Sequence, residues 1–163
     1  MTDPFAPPGE HWRPVSPALA RLRQLLIGTA ALVVLVADVL AAALDPSFVV
    51  AAAVVALLVL LAAAAGAVWA QRNARRWGYA ERAEDLYVRH GALFRRLVAV
   101  PYGRMQYVDV HAGPLERLFG IAGVRLHTAS PGTSAHIPGL PAEEAARLRD
   151  RLTALGESQA AGL

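Results

Sequence analysis

Hydrophobic and polar positions divide the chain into zones of different period. Residues 24–44 and 48–70 are almost unbroken Ala, Leu and Val. Each run supplies about the twenty apolar residues that a helix needs to cross a bilayer's hydrocarbon. Asp45, Pro46 and Ser47 part them, and so short a turn of breaker residues makes the two helices antiparallel neighbours. Neither run carries a polar face, which argues against a helical hairpin buried in a soluble core. The first run is also longer than the apolar segment of a secretory leader, and a second run follows at once. Gly28, Ala30, Ala31, Ala63 and Gly66 offer small surfaces for close packing of the pair. Trp69 and Trp77 bracket the exit of the second run, as interfacial aromatics do.

From Tyr79 the period changes to two. Leu86 and Val88 alternate with Asp85, Tyr87 and Arg89, and Gly91 marks a turn. Leu93, Arg95, Leu97 and Ala99 then fall on one side, with Phe94, Arg96, Val98 and Val100 on the other. Gln106, Val108 and Val110 alternate with Tyr107, Asp109 and His111, and Val124 and Leu126 with Arg125 and His127. Four or five strands joined by short turns predict an antiparallel sheet. The spacing of Ala145, Leu148, Leu152 and Leu155 predicts a helix over 141–155 with one apolar stripe to lay on that sheet. Pro141 suits its first turn, Glu143 and Glu144 suit its positive end, and Gly156 suits its stop.

The prolines of the first seventeen residues prevent a continuous helix, so the start reads as an irregular arm with Trp12 and Arg13 near the headgroups. Ser16 and Pro17 suit a helix start. The division expected is an arm at 1–23, a transmembrane hairpin at 24–70, a juxtamembrane linker at 71–78, a β domain at 79–155 and a disordered tail at 156–163.

Charge adds an orientation. The net charge is +3, and every basic residue other than histidine is arginine. Arg13, Arg21 and Arg23 precede the first run, Arg72, Arg75 and Arg76 follow the second, and the turn between has none. The positive-inside rule then places both termini in the cytoplasm of a multi-pass cell-membrane protein. Charge beyond Tyr79 is nearly balanced, so the high pI does not mark a nucleic-acid stripe, and no nucleic-acid partner is expected. The chain has no cysteine, which excludes disulfides and thiolate metal sites.

Several stretches of the domain stand out together: Leu86, Val88, Arg89 and Gly91, and Val100-Pro101-Tyr102-Gly103-Arg104-Met105-Gln106-Tyr107-Val108-Asp109-Val110. They continue in Gly113-Pro114-Leu115-Glu116-Arg117-Leu118-Phe119-Gly120, His127-Thr128-Ala129 and Ile137-Pro138-Gly139-Leu140. In these residues the domain resembles the bacterial pleckstrin-homology-like domain of the YdbS type. The two preceding helices and the Trp12-Arg13 arm fit as well, so the likeness covers nearly the whole chain. The patterns Pro-x-x-Arg-x-Gln and Gly-Pro-Leu-x-Arg-x-x-Gly are specific together. Met105 stands where the family usually has Ile, and Tyr107 where it often has His, so no histidine site is carried over there. The resemblance implies a strongly bent sheet or split barrel closed by a C-terminal helix, and no enzyme activity. It also implies self-assembly, or a hetero-complex with a related multi-domain membrane protein.

Candidate sites are few. Arg104, Gln106 and Arg117 could meet a partner or headgroup, or simply fix the turns around Gly113 and Gly120. Arg95 and Arg96, with Arg89, could make a basic edge toward anionic lipid, where each arginine contributes roughly 1 kcal/mol; the alternative is a solvated strand face. Asp38 lies inside the first apolar run, where a carboxyl group is costly, and suits a helix contact within an oligomer. The histidines, His11, His90, His111, His127 and His136, lack close ligand spacing, so no metal is expected. Ser130, Thr133 and Ser134 have no adjacent base. No phosphate loop precedes a helix, and no cofactor or catalytic residue is expected. The expectation is a non-enzymatic scaffold or assembly subunit in the lipid bilayer; the alternatives are an anionic-lipid sensor or an accessory subunit of a transporter or enzyme.

Overall fold

A computed structural model describes residues 11–129 and 134–161. They form two compact units: a hairpin over 20–71, and a domain that joins residues before Ala20 to those from Arg72 onward.

In the hairpin unit, α1 (Pro17–Leu44) and α2 (Val49–Arg76) are helices of 28 residues each. Ser16 begins α1 as expected, its Oγ accepting from the Ala18 amide at 3.2 Å. Between the helices Pro46–Phe48 form a 3₁₀ turn, and the Asp45 side chain accepts from the Ser47 amide at 2.9 Å. Gly66 faces Ile27 closely enough that a Cβ would stand 3.4 Å from it, and the Gln24 side chain donates to the Ala67 carbonyl at 3.3 Å. Gly28, by contrast, has open space around it and is no packing residue here. No residue in the most apolar stretch of either helix is buried, in keeping with a lipid-facing surface.

The domain has two antiparallel sheets. One is ordered β1 (Arg13–Pro14), β2 (Gly78–Glu81), β3 (Asp85–His90), β4 (Arg96–Pro101); the other is β5 (Met105–His111), β6 (Ile121–Thr128), β7 (Ala135–Pro141). A short helix, α3 (Pro114–Leu118), joins β5 to β6, and α4 (Ala142–Ala161) follows β7. The expected alternation holds where it was clearest: Leu86, Val88, Val100, Val124 and Leu126 are buried. Ala145, Leu148 and Leu152 of α4 are buried to 0% exposure, as is Ile137 of β7, and Leu140 on the same strand is buried too, so the helix stripe closes the core.

Several boundaries move. The segment 71–78 is no linker: α2 continues through Arg76 and β2 starts at Gly78. Gly156 does not stop α4, which runs on to Ala161 in place of a disordered tail from 156; helix propensity on both sides outweighs one glycine's cost of about 1 kcal/mol. The arm contributes an edge strand, with Arg13 paired to Tyr79 and Pro14 to Gly78, so Trp12 and Arg13 belong to the domain and not to a free headgroup-facing arm. Residues 1–10, including the first prolines, and Ser130 and Thr133 lie outside the described residues. Leu93, Phe94 and Arg95 form the β3–β4 turn instead of extending β4.

Candidate functional site

Five arginines of the domain line one open cavity of about 240 Å³: Arg75, Arg76, Arg89, Arg95 and Arg96, with His90 and Gly91. Three pieces of chain put them there. Arg75 and Arg76 occupy the last turn of α2, where positive side chains also offset the negative end of the helix dipole. Arg89 and His90 end β3, and the antiparallel register sets His90 opposite Arg96 and Arg89 opposite Leu97. The turn that returns the chain depends on Gly91, whose φ is 102°; a Cβ there would collide with the Phe94 carbonyl.

Aromatic rings hold two of these side chains. The Arg89 guanidinium lies 4.3 Å from the centroid of the Trp12 ring, a cation–π contact worth about 0.5–1 kcal/mol at an exposed site. The His90 ring stacks on Trp77 with centroids 4.7 Å apart. Burial, and then the charge of Arg96, holds the His90 pKa below its ordinary 6.5, so the ring is neutral at pH 7. Trp77 meets His136 edge-on at 6.3 Å, and His136 stacks on His111 at 5.3 Å. Three histidines far apart in sequence thus form one row of rings. Burial, followed by neighbouring positive groups, also lowers the pKa of His136.

Among the described residues no acid lines the cavity. Glu81 of β2 and Glu144 of α4 are engaged elsewhere. Arg147 bridges Glu81 at 2.6 Å and Glu144 at 2.7 Å, Arg151 reaches Glu81 at 2.9 Å, and Arg13 reaches Glu144 at 2.8 Å. Tyr79 donates its hydroxyl proton to Glu144. Hydrogen bonding from Arg147 leads the causes that hold Glu144 at about 2, while burial and the Glu144 bond push Tyr79 up to about 12. Near-neutral net charge therefore hides a segregation: one face is paired, and one cleft carries like charges. A guanidinium presents a planar fork of donors that fits phosphate or carboxylate oxygens bidentately. An open cleft of such forks is suited to an oxyanion with several oxygens.

The residues singled out from sequence divide accordingly. Arg95 and Arg96 line the cleft, with Arg89 beside them. Arg104 and Arg117 are exposed and line no part of it. The Arg117 amide donates to the Gly113 carbonyl and its own carbonyl accepts from Gly120, so its backbone fixes that turn. Gln106 sits at a register shift in β5 and lines a separate groove of about 220 Å³ with Tyr107, Leu152 and Gly156. Asp38 is half-buried within the hairpin unit. Sequence reading assigned Arg75, Arg76 and Trp77 to the membrane boundary alone. Their run of Arg-Arg-Trp directly before β2 was the signal that they also belong to the domain.

Long exposed apolar helices, two antiparallel sheets and a closing helix define a membrane protein with a pleckstrin-homology (PH) type domain. The chain matches the bacterial PH domain family over residues 25–155 and belongs to that family. Over 79 residues it is 37% identical to the UPF0699 transmembrane protein YdbS of Bacillus subtilis (strain 168). That alignment takes in 48% of this chain and 48% of the relative, so the chain spans about half the length of the curated relative it matches. No solved structure matches the chain.

Proposed function

We propose that this protein is a membrane-anchored binding module whose arginine cleft takes the phosphate of an anionic lipid headgroup. The carrying observation is the convergence of five guanidinium groups on one open cavity with no acid among the described residues of its lining. Connectivity supports a membrane source for the ligand. Arg75 stands five residues beyond the end of the 48–70 run in one continuous helix, about 8 Å at 1.5 Å per residue. The orientation in keeping with this is both termini cytoplasmic, where anionic lipid is met by flanking arginine. Single cysteines at Ser47 and Ser158 test it: labelling of Ser158→Cys from outside intact cells would contradict it.

The lipid reading is tested with the full chain in mild detergent, by native mass spectrometry after adding phosphatidylglycerol or phosphatidylcholine. Retained phosphatidylglycerol adducts, lost in Arg89→Gln/Arg96→Gln, are the expected result. Equal retention of both lipids by both proteins would refute it. A second reading, assembly with another copy or a related membrane protein, is favoured by the groove beside β5. There an edge strand of the sheet, the exposed Tyr107 and Gln106 offer backbone and side-chain contacts to a partner. A complex that survives mild detergent and falls apart on Arg104→Glu would support it.

A further inference from the structure

Large apolar side chains of the domain are mostly inside, with a conspicuous exception at the β3–β4 turn. Leu93 is 83% exposed and Phe94 84% exposed, side by side at the tip of a hairpin. The tip is tightly closed, since Gly91 with positive φ lets the Phe94 carbonyl approach it. Arg95 and Arg96 follow the pair directly in sequence, and with Gly91 of the same turn they line the cleft. An apolar pair projecting from a rim of guanidinium groups has the chemistry of a bilayer's surface: hydrocarbon beneath, anionic headgroups above. A protein groove would need to supply apolar walls and acids together, and the chain's own Glu81 and Glu144 are already paired.

A second observation points the same way. The ring row His90, Trp77, His136, His111 runs from the end of β3 to the end of β5. It therefore places the β3–β4 tip and α3, which begins three residues after His111, at the same end of the domain. There α3 exposes Leu115 and Leu118, the latter at 77%. Both sheets thus present apolar side chains at the end where Trp77 follows α2 directly.

We propose that Leu93 and Phe94 insert among the acyl chains of the leaflet on the domain's side, while the adjoining arginines hold that leaflet's headgroups. This deepens the headgroup reading and rests on it: the cleft selects charge, and the tip supplies apolar anchorage, so the domain docks on the membrane that its own hairpin spans. Insertion of a rigid turn costs little conformational entropy, and two large apolar groups add affinity without adding charge.

The absence of cysteine makes a direct test simple. Phe94→Cys in the full chain is labelled with an environment-sensitive nitrobenzoxadiazole dye and reconstituted into phosphatidylcholine vesicles with phosphatidylglycerol. Asp150→Cys, on the exposed side of α4, is the reference. Phe94 lies outside the core, so the substitution leaves the fold intact, and Leu93→Cys repeats the measurement at its neighbour. The expected result at Phe94 is blue-shifted emission, loss of signal on adding doxyl-labelled lipid, and shielding from aqueous iodide, with none of these at Asp150. Iodide quenching at Phe94 equal to that at Asp150 would overturn the insertion. So would shielding from iodide without doxyl quenching, which would mean that protein covers the tip. The two levels separate: retained phosphatidylglycerol adducts with a water-exposed tip overturn the wedge and leave the cleft. Doxyl quenching that persists in Arg89→Gln/Arg96→Gln, without selective adducts, overturns the cleft and leaves the wedge.

Discussion

The domain uses arginine in two opposite ways. On the face where β1, β2 and α4 meet, Arg13, Arg147 and Arg151 are matched to Glu81 and Glu144 within 2.6–2.9 Å. At the end of β3 and α2, Arg75, Arg76, Arg89, Arg95 and Arg96 share a cavity with no carboxylate among the described residues of its lining. The first set joins elements distant in sequence and gains from charge-assisted hydrogen bonds. The second set keeps like charges near one another, which is mildly unfavourable through self-repulsion. The residue type is the same in both places; the neighbouring side chains decide which arginines are tied to carboxylates of the fold.

The largest expected effect removes the paired face altogether. Leu152→Asp puts a carboxylate at a site of 0% exposure and should cost roughly 4 kcal/mol through lost packing and desolvation. Thermal unfolding of the full chain in detergent checks it; melting like wild type would mean that α4 does not dock through this stripe. Next, Arg147→Gln leaves Glu81 and Glu144 with fewer donors and should destabilise by about 1–3 kcal/mol. Arg96→Gln, in the cleft, should change stability by no more than about 0.5 kcal/mol. Similar losses for the two variants would erase the distinction between the faces.

Acid separates them again. Glu144 sits at about 2 in the fold against an ordinary 4.5, so its stabilisation is complete above pH 4.5 and is lost as pH falls from there toward 2. His90 and His136 are both lowered from 6.5, chiefly by burial, so their protonation works against the fold at lower pH. Stability should decline first below pH 6.5 and again below pH 4.5. Glu144→Gln should remove the second decline and leave the first, as unfolding midpoints against pH would show. On the paired face a smaller effect than Arg147→Gln is expected of Tyr79→Phe, which deletes the hydroxyl bond to Glu144 and should cost about 1 kcal/mol.

Local periodicity carried much of this fold. The period of two exposed Leu86, Val88, Val124 and Leu126 as core, and the three-four spacing did the same for Leu148 and Leu152. β7 was missed because Ile137-Pro138-Gly139-Leu140 reads as turn, although its residues 137–140 are all buried. β1 was missed because a two-residue strand has no period at all. The cleft was half legible. Arg95 and Arg96 are adjacent and stand out, but Arg75 and Arg76 meet Arg89 only because α2 stays helical to its junction with β2. Nothing local announces the link of Glu81 to Arg147 across 66 positions, since only the fold brings them together. The nearly balanced charge beyond Tyr79 is a sum over two faces that the fold keeps apart.

Headgroup contact at the cleft is most directly mapped by light-driven crosslinking. The full chain in bilayers takes up a phosphatidylglycerol analogue with a diazirine on its headgroup, and adducts are located by peptide mass spectrometry. Adducts are expected on residues 72–76 and 89–96, and their yield should collapse in Arg89→Gln/Arg96→Gln. Adducts confined to the β5–α4 groove around Gln106, or an undiminished yield in the double variant, would contradict the assignment of the arginine cleft as the headgroup site.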